Sequence, residues 1–241
     1  MQNSLPILTI ISTACYAFGY YRKSFVLAGL LFQIIYLVMR GIALDRLPLV
    51  GPHDTLFFLS TAIVLFMFPV VRKMKGTKTV MHAAIGMAVF FMGLSFFYQP
   101  HNSPLPPVLR TFWFETHVAF SFFSYALFGI AAMFGVMSLI RRDQELDAIQ
   151  YKMVLVGYCF FSAAMVFGGV WAYLAWGTYW LWTPKELWTV ILWLFYSLYL
   201  HVRLRQWWQG RPLSVLAVAG FIIVMFTYLG VSLFMKSSHS F

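Results

Sequence analysis

The sequence predicts an all-α integral membrane protein with about eight transmembrane helices and both termini on the outer, periplasmic side. Of its 241 residues, 61% are hydrophobic and only 10% are charged, whereas a soluble domain carries roughly a quarter charged residues. Several apolar runs approach the roughly 20 residues that are needed to cross the hydrocarbon core of a bilayer. The basic residues are concentrated on alternate connections. The lipid bilayer is therefore the expected surrounding of the chain.

Eight apolar runs give the predicted helices in order. They lie at about 5–21, 25–43, 55–71, 80–98, 114–140, 153–176, 187–202 and 213–235. The longest connections are residues 99–113, which are rich in proline, and residues 141–152, which are charged. No long linker or repeat interrupts the sequence, so residues 1–241 are predicted to form a single polytopic membrane domain. The first run has no basic segment before it and no small-residue cleavage site after it, so we expect it to remain uncleaved.

The distribution of Lys and Arg over the connections predicts the orientation. One side collects 12 of the 17 basic residues: Arg22, Lys23, Arg72, Lys73, Lys75, Lys78, Arg141, Arg142, Lys152, Arg203, Arg205 and Arg211. The other side has five: Arg40, Arg46, Arg110, Lys185 and Lys236. Because cytoplasmic connections retain positive charge, the first side is predicted to be cytoplasmic and both termini to lie outside. Topology thus explains the net charge of +10, and no nucleic-acid partner is expected.

The connection between the sixth and seventh predicted helices is unusually aromatic. Residues 176–188, the tryptophan-rich segment, read WGTYWLWTPKELW and contain four tryptophans: Trp176, Trp180, Trp182 and Trp188. Gly177 allows a ligand to approach the backbone closely, and Pro184 suits the first turn of the next helix. Lys185 and Glu186 add charges. Flat aromatic faces beside a cation favour a platform for a planar macrocycle that bears carboxylates, with an aromatic belt at the membrane interface as the alternative.

Histidines supply a second indication, because neutral imidazole is a common axial ligand of haem iron. His117 lies near the outer end of the fifth predicted helix, and His239 lies just beyond the outer end of the eighth. Their shared level with the tryptophan-rich segment indicates a bis-imidazole haem site, whereas each one alone could be a hydrogen-bonded interfacial histidine. His201, near the inner end of the seventh helix, is a further candidate because ionisable groups within a membrane are commonly functional. Its alternative is to snorkel to the cytoplasmic interface.

The other three histidines are predicted to have ordinary roles. His82, near the inner end of the fourth helix, is expected to reach the cytoplasmic interface. His53 and His101 fall in outward connections and are expected to be solvated. None of the three is therefore a first choice as a haem ligand.

Residues 176–203, which continue from the tryptophan-rich segment into ILWLFYSLYLHVR, closely resemble the signature of the CcsA/ResC family of cytochrome c biogenesis proteins. Residues 116–118 (THV) and 124–126 (SYA) resemble that family's helix with the first external haem-ligand histidine. Residues 229–240 resemble the segment with the second. Residues 40–52, which contain RG, LPL and GP, resemble its second helix and first external loop. The likeness spans nearly the whole chain, and the tryptophan signature is its most specific part.

The resemblance implies a haem-handling component of a holocytochrome c synthase, or haem lyase. With a CcsB/ResB-type partner it would deliver reduced haem b outside a bacterial inner membrane, or a thylakoid membrane as the alternative, for thioether attachment to CxxCH motifs of apocytochrome c. By position, the implied external iron ligands are His117 and His239, and an implied inner ligand is His201. The implied platform consists of Trp176, Gly177, Trp180, Trp182, Thr183, Pro184, Lys185, Glu186 and Trp188. No protein nucleophile is implied, since the substrate thiols attack the haem vinyl groups.

Two positions depart from the family pattern. Thr183 stands where the family usually has aspartate, which removes a carboxylate beside the implied haem edge. Gln33 stands where the second helix usually offers an inner histidine, so the inner site is altered, bound by His201 alone, completed by His82, or absent. These departures favour a non-catalytic haem-binding anchor or assembly subunit, whereas retention of the three implied ligand histidines favours the lyase component. A transporter with an aromatic lining is a third hypothesis and predicts no bound haem.

Overall fold

A computed structural model describes residues 5–74, 78–141 and 143–234, with the backbone alone for Arg72, Lys73 and Gln206. Within these ranges the chain is helical and contains no strand, as the sequence predicts. The helices are α1 (Leu5–Gly19), α2 (Lys23–Leu44), α3 (Pro52–Lys73), α4 (Lys78–Ser95), α5 (Phe112–Arg141), α6 (Gln144–Trp176), α7 (Pro184–Val202) and α8 (Arg211–Met225). A π-helical turn (Phe226–Gly230) and a final turn (Val231–Phe234) continue α8, and short 3₁₀ turns cover Pro107–Leu109 and Gln206–Trp208.

Six of the described helices are long and apolar enough to cross a membrane, namely α2 to α6 and the continuous segment Arg211–Phe234. The helix α1 has 15 residues and is therefore about 22 Å long, short of the roughly 30 Å of a hydrocarbon core. The helix α7 has 19 residues, but Lys185, Glu186 and His201 near its ends lower its hydropathy. The chain is thus a helical membrane protein, while the eight spans and the outer position of both termini stay predictions.

The helix α6 begins earlier than its apolar run. It starts at Gln144, within the stretch that the sequence predicts to be a charged connection. Asp143 caps it by accepting a hydrogen bond from the Glu145 backbone N–H at 2.8 Å, and Leu146 and Gln150 on these first turns are buried. Charged residues therefore occupy one face of a helix whose other face is packed, and the predicted connection over residues 141–152 is wrong for most of its length.

The described helices form two compact units, Met1–Arg110 and Thr111–Phe241; the single membrane domain stays a prediction. In the first unit α1 packs on α2 and α3 packs on α4. The buried Gln33 of α2 links all four helices: its Oε1 accepts from Tyr16 Oη at 2.5 Å, and its Nε2 donates to Ser60 Oγ at 3.0 Å. Ser60 Oγ donates in turn to Ala88 O at 2.7 Å. Both polar atoms of Gln33 are therefore engaged in holding the unit together.

A second polar cluster in this unit corrects the expectation that His53 is solvated. His53 is only 7% exposed, and its Nδ1 lies 2.9 Å from Asp54 Oδ1. Asp54 also accepts from Arg40 Nε at 3.0 Å and from Arg40 Nη2 at 3.2 Å, while Arg40 Nη1 donates to Asn102 Oδ1 at 2.8 Å. The expectation is wrong because the hydrogen bond between His53 and the buried Arg40–Asp54 ion pair replaces the hydrogen bonds that the imidazole would make with water.

In the second unit α5 packs against α6 and α8, and α7 packs against α6 and α8. Two contacts give the register of α6 and α7: Tyr158 Oη lies 2.6 Å from Ser197 Oγ, and Trp193 Nε1 donates to Ser162 Oγ at 3.0 Å. Since the residue number rises along α6 as it falls along α7, the two helices are antiparallel. The start of α7 therefore lies beside the end of α6, with the tryptophan-rich segment connecting them.

Candidate functional site

The tryptophan-rich segment is a short connection between two well-defined helix ends. The helix α6 ends at Trp176, and Gly177 follows with a φ of +73°, its N–H donating to Tyr173 O at 2.8 Å. This left-handed conformation is the one for which glycine is favoured at helix ends. The helix α7 begins at Pro184, three residues before the predicted apolar run at 187–202, and the proline occupies the first turn as its position in the sequence indicates. Only residues 177–183 therefore lie outside the helices.

Thr183 and Glu186 form a capping box at the start of α7. The Glu186 backbone N–H donates to Thr183 Oγ1 at 3.4 Å, and the Thr183 backbone N–H donates to Glu186 Oε2 at 3.0 Å. Threonine and aspartate are both favoured N-cap residues, because each offers a side-chain oxygen to the first-turn N–H groups. Thr183 thus retains the helix-starting function that an aspartate would have here, while it lacks the negative charge.

The carboxylate of Glu186 also fixes the backbone around Trp182. Its Oε2 accepts from the N–H groups of both Leu181, at 2.9 Å, and Thr183, at 3.0 Å. These two N–H groups flank Trp182 and converge on one oxygen, as in the backbone concavities that bind anions. Trp182 has a φ of +58°, which costs a residue with a Cβ atom roughly 1–2 kcal/mol. Glu186 therefore offsets the strain of a backbone that leaves the Trp182 indole 69% exposed.

Trp180 contributes a buried donor. Its Nε1 has no hydrogen-bond partner among the described residues, and a buried unpaired N–H group costs roughly 1–3 kcal/mol. The Trp180 ring lies 6.4 Å from the ring of Trp182, at an interplanar angle of 76°. Gly177 faces open space, since a Cβ atom there would have no neighbour within 4 Å. An unpaired donor beside an exposed indole fits a flat ligand that brings its own acceptor, such as a carboxylate.

His117 lies in α5 with its half-buried imidazole packed against α6. Its Nδ1 lies 2.8 Å from Ala164 O. Because a carbonyl oxygen can only accept, Nδ1 carries the proton of the neutral ring, and Nε2 keeps its lone pair. Metal-binding histidines have this arrangement, in which the other ring nitrogen donates to a carbonyl or carboxylate and fixes the ring orientation.

Gly168 and Trp171 of α6 make the packing of His117 possible, and sequence reasoning missed both. A Cβ atom on Gly168 would lie 2.6 Å from His117 Nδ1 and 2.8 Å from its Cε1. The Trp171 indole stacks on the imidazole with 6.3 Å between centroids and an interplanar angle of 15°. The available signal was the pair Gly168-Gly169 within an apolar helix, since small residues mark close approaches between membrane helices.

A chain of ring contacts joins His117 to the tryptophan-rich segment. Trp171 contacts Trp176 edge to face, with 4.8 Å between centroids. The backbone of the segment also returns toward α6, since Tyr179 O lies 3.7 Å from where a Cβ atom on Gly169 would be. The predicted ligand and the start of the predicted platform are thus neighbours in the structure.

The far end of the segment contacts the π-helical turn that follows α8. Trp188 lies 4.6 Å from the ring of Phe226, the first residue of this turn, at an angle of 63°. Lys185 Nζ lies 3.4 Å from Ser232 Oγ in the last turn. Single π-helical turns inside α-helices are frequent at functional sites. Sequence reasoning did not identify this turn.

His201 lies apart from the other candidate residues. It is exposed, and its Nδ1 donates to Ser197 O of its own helix at 2.7 Å. Its position near the end of α7 is about 24 Å along the helix from Lys185. The other predicted axial ligand, His239, lies outside the described residues.

Fold and site together define a polytopic helical membrane protein in which an aromatic connection adjoins a histidine with an available ring nitrogen. The sequence profile of the Cytochrome C assembly protein family matches residues 50–239, and the chain belongs to this family. It is 29% identical to the cytochrome c biogenesis protein CcsA of Prochlorococcus marinus subsp. pastoris, over 99% of this chain and 88% of that relative. It is 36% identical to CcsA of Chlamydomonas reinhardtii, over 58% of this chain and 43% of that relative. The predicted CcsA-type relationship is therefore confirmed.

A solved structure shares the fold. The cytochrome c heme lyase CcmF superposes with a TM-score of 0.64 over 93% of this chain, at 18% sequence identity. The chain spans 45% of the length of that lyase. At this level of identity the likeness concerns the arrangement of helices alone.

Proposed function

We propose that this protein binds haem b at the tryptophan-rich segment and His117, and delivers it for covalent attachment to the CxxCH cysteines of apocytochrome c. The observation that carries the proposal is His117, whose Nδ1 is held by Ala164 O at 2.8 Å, so that Nε2 is ready to ligate iron. Membership of the cytochrome c assembly family and the likeness to CcsA support the same reaction.

The residues present fit a planar macrocycle with two carboxylates. In the proposed complex His117 would hold the iron, and the exposed Trp182 indole would supply a flat face. Trp180 Nε1 and Lys185 Nζ supply donors for the propionates. Glu186 holds Trp182 in position through the backbone rather than contacting the haem. Trp176, Gly177 and Trp188 would complete the walls, and His239 would supply a second iron ligand.

The bound haem supplies the vinyl groups, across each of which one S–H of the apocytochrome adds to form a thioether. No nucleophile of this chain is required for that addition. The contribution of the protein is to bind the macrocycle, orient it and hold a ligand on its iron. The proposal includes a CcsB/ResB-type membrane partner and a location in the bacterial inner membrane, with the thylakoid membrane as the alternative.

A haem-binding anchor or assembly subunit is the second candidate function, and Gln33 favours it. The side-chain oxygen and nitrogen of Gln33 are bonded to Tyr16 and Ser60, so α2 offers no iron ligand where the resembled family usually has an inner histidine. A chain of this kind would handle haem only at the tryptophan-rich segment, and His201 would not form part of an inner site.

The first test is the haem content of the full chain purified in detergent from cells with an adequate haem supply, measured by the absorption spectrum and the pyridine haemochrome. We expect bound haem in the wild type and its loss in His117→Ala. His101→Ala is the matched control, because it removes an imidazole that is not among the proposed haem-binding residues and is expected to leave the content unchanged. A wild-type protein free of haem contradicts both candidate functions.

A second test separates the two candidates. The chain is co-expressed with a CcsB/ResB-type partner and an apocytochrome, and covalent haem is detected on the cytochrome after denaturing electrophoresis. Covalent product that depends on His117 supports the lyase component. Bound haem without covalent product, with a partner that is competent beside another CcsA protein, supports the assembly subunit.

A further inference from the structure

The first unit contains an apolar cavity of about 350 Å³ between α2, α3 and α4. Aliphatic, aromatic and thioether side chains form its walls, among them Leu27, Val64 and Met67. The polar lining residues are Lys23 and Ser24, in the first turn of α2. A volume of this size lies within the range of ligand sites, roughly 300–1,000 Å³. The cavity therefore combines an apolar interior with a cationic group at one end.

The charged residues that the structure describes at this end of the unit are all basic. The cavity lies among the start of α2, the second half of α3 and the start of α4. Among the described residues, five basic ones lie at this end of the helices: Arg22, Lys23, Arg72, Lys73 and Lys78. The acidic residues of the unit, Asp45 and Asp54, follow the opposite end of α2 and begin α3. An anionic group is therefore favoured at this end and disfavoured at the other.

The backbone at the start of α2 adds to this preference. Its N-cap residue Arg22 makes no side-chain hydrogen bond to the first turn. The first N–H groups of a helix have no partner within the helix, and the helix dipole makes that end attractive to anions. Lys23 and Ser24, which line the cavity, belong to this turn. The turn thus offers donors and positive charge beside the apolar interior.

We propose that this cavity binds one acyl chain of an anionic phospholipid, whose phosphate lies at Lys23 and the first turn of α2. Basic pockets between membrane helices hold anionic lipid head groups in this manner. A zwitterionic lipid would leave the cationic end without a net counter-charge. Haem is the poorer fit, since methionine ligates haem iron beside a histidine in cytochromes c, and the described lining has methionines but neither histidine nor cysteine. The bound lipid fills the space between α2, α3 and α4.

The test is native mass spectrometry of the full chain after delipidation and titration with phosphatidylglycerol or phosphatidylcholine in mild detergent. Leu27→Trp fills the cavity from a side chain that is 44% exposed, and Leu31→Trp, one turn further along α2 and 55% exposed, is the matched control outside the lining. Lys23→Glu reverses the charge at the proposed phosphate position. Lys152→Glu, at an exposed lysine of α6, is its control.

We expect the wild type to retain phosphatidylglycerol in preference to phosphatidylcholine. Lys23→Glu is expected to weaken phosphatidylglycerol retention by about fivefold or more, since each basic residue near an anionic membrane surface contributes about that factor. Leu27→Trp is expected to abolish it, while both control variants behave as the wild type. The melting temperature of each variant shows that it is folded.

Equal retention of the two lipids overturns the proposal, as do equal effects of Leu27→Trp and Leu31→Trp in folded protein. Displacement of phosphatidylglycerol by added haem assigns the cavity to haem and also overturns it. If Leu27→Trp changes the oligomeric state but not lipid retention, the surface of α2 around Leu27 contacts another protein chain, and the proposal is likewise overturned. The proposal is independent of haem binding by the second unit, whose haem content is measured in the same samples.

Discussion

His117 and His201 belong to the same helical unit but are held in different ways. His117 is half-buried and donates to a carbonyl of a neighbouring helix, with Gly168 and Trp171 against its ring. His201 is exposed and donates to Ser197 O of its own helix. An imidazole held by two helices has one orientation, whereas a side chain near a helix end can turn toward solvent. Of the two proposed iron ligands, the one beside the tryptophan-rich segment therefore has its imidazole held in place by a neighbouring helix.

The largest predicted effect comes from a substitution that displaces the His117 ring but leaves the histidine itself in the sequence. In Gly168→Ala the new Cβ atom would lie 2.6 Å from His117 Nδ1, so the ring must leave its place and its bond to Ala164 O. Loss of an orienting partner typically costs a metal site roughly 10- to 100-fold in affinity. We expect the haem affinity, measured by titration of haem-depleted protein in the Soret band, to fall by about that factor.

Gly169→Ala is the matched control for this change. It adds the same methyl group one residue further along α6, where the nearest atom, Tyr179 O, is at an ordinary contact distance of 3.7 Å. We expect its haem affinity to stay close to that of the wild type. If the two alanine variants bind haem equally well, the orientation of His117 does not determine haem affinity. The difference in packing between His117 and His201 then does not explain which of them binds haem.

The next effect concerns Glu186 as the positioning residue of Trp182. Trp182→Gly removes the indole but tolerates the φ of +58°, so we expect roughly two- to tenfold weaker haem binding together with a free energy of unfolding that is not lowered. Glu186→Leu removes the oxygen that binds Leu181 N and Thr183 N, and a similar loss of affinity is expected. Glu186→Gln keeps an amide oxygen for both donors and is expected to bind haem nearly as the wild type does.

A double-mutant cycle decides whether Glu186 acts through Trp182. If it does, Glu186→Leu weakens haem binding in the wild-type background but has little further effect in Trp182→Gly, because the indole that it positions is absent. Additive effects of the two changes mean that Glu186 contacts the ligand itself or destabilises the whole unit. The unfolding transition of each variant, followed by circular dichroism, separates these last two explanations.

A smaller effect is expected at Thr183, and it appears in stability rather than in haem binding. Thr183→Ala removes the capping oxygen that accepts from the Glu186 N–H, which typically costs about 1 kcal/mol. Thr183→Asp, the residue usual in the resembled family, restores a cap and is expected to unfold at the wild-type temperature with unchanged haem affinity. A marked gain of haem affinity in Thr183→Asp means that the missing charge, and not the cap, is the important feature of this position.

Features that depend on residues close together in the sequence were predictable from it. The helices follow from the lengths of apolar runs, and the start of α7 follows from the position of Pro184. The start of α6 was not predictable, because charged residues on one face of its first turns conceal the buried Leu146 and Gln150. The same holds for His53, whose burial depends on Asp54 and on the distant Arg40.

The candidate site divides in the same way. The dense tryptophans and His117 stand out in the sequence, since their chemistry is visible residue by residue. Gly168 and Trp171 become meaningful only when the register between α5 and α6 brings them to His117, and composition does not fix that register. The strained Trp182 likewise depends on a carboxylate four residues further along, whose geometry a sequence does not specify.

The smallest predicted effect is at His201, the exposed histidine of the comparison with His117. Because His201 is exposed and lies about 24 Å along α7 from the start of the helix, His201→Ala is expected to leave the haem affinity of the tryptophan-rich segment unchanged. Its hydrogen bond to Ser197 O is local, so the unfolding temperature should move little. The measurement is the same Soret titration, with His117→Ala as the positive control. A loss of haem in His201→Ala comparable to that in His117→Ala places a second iron ligand at the exposed end of α7. Packing of the imidazole against a neighbouring helix is then not what distinguishes a haem ligand in this protein.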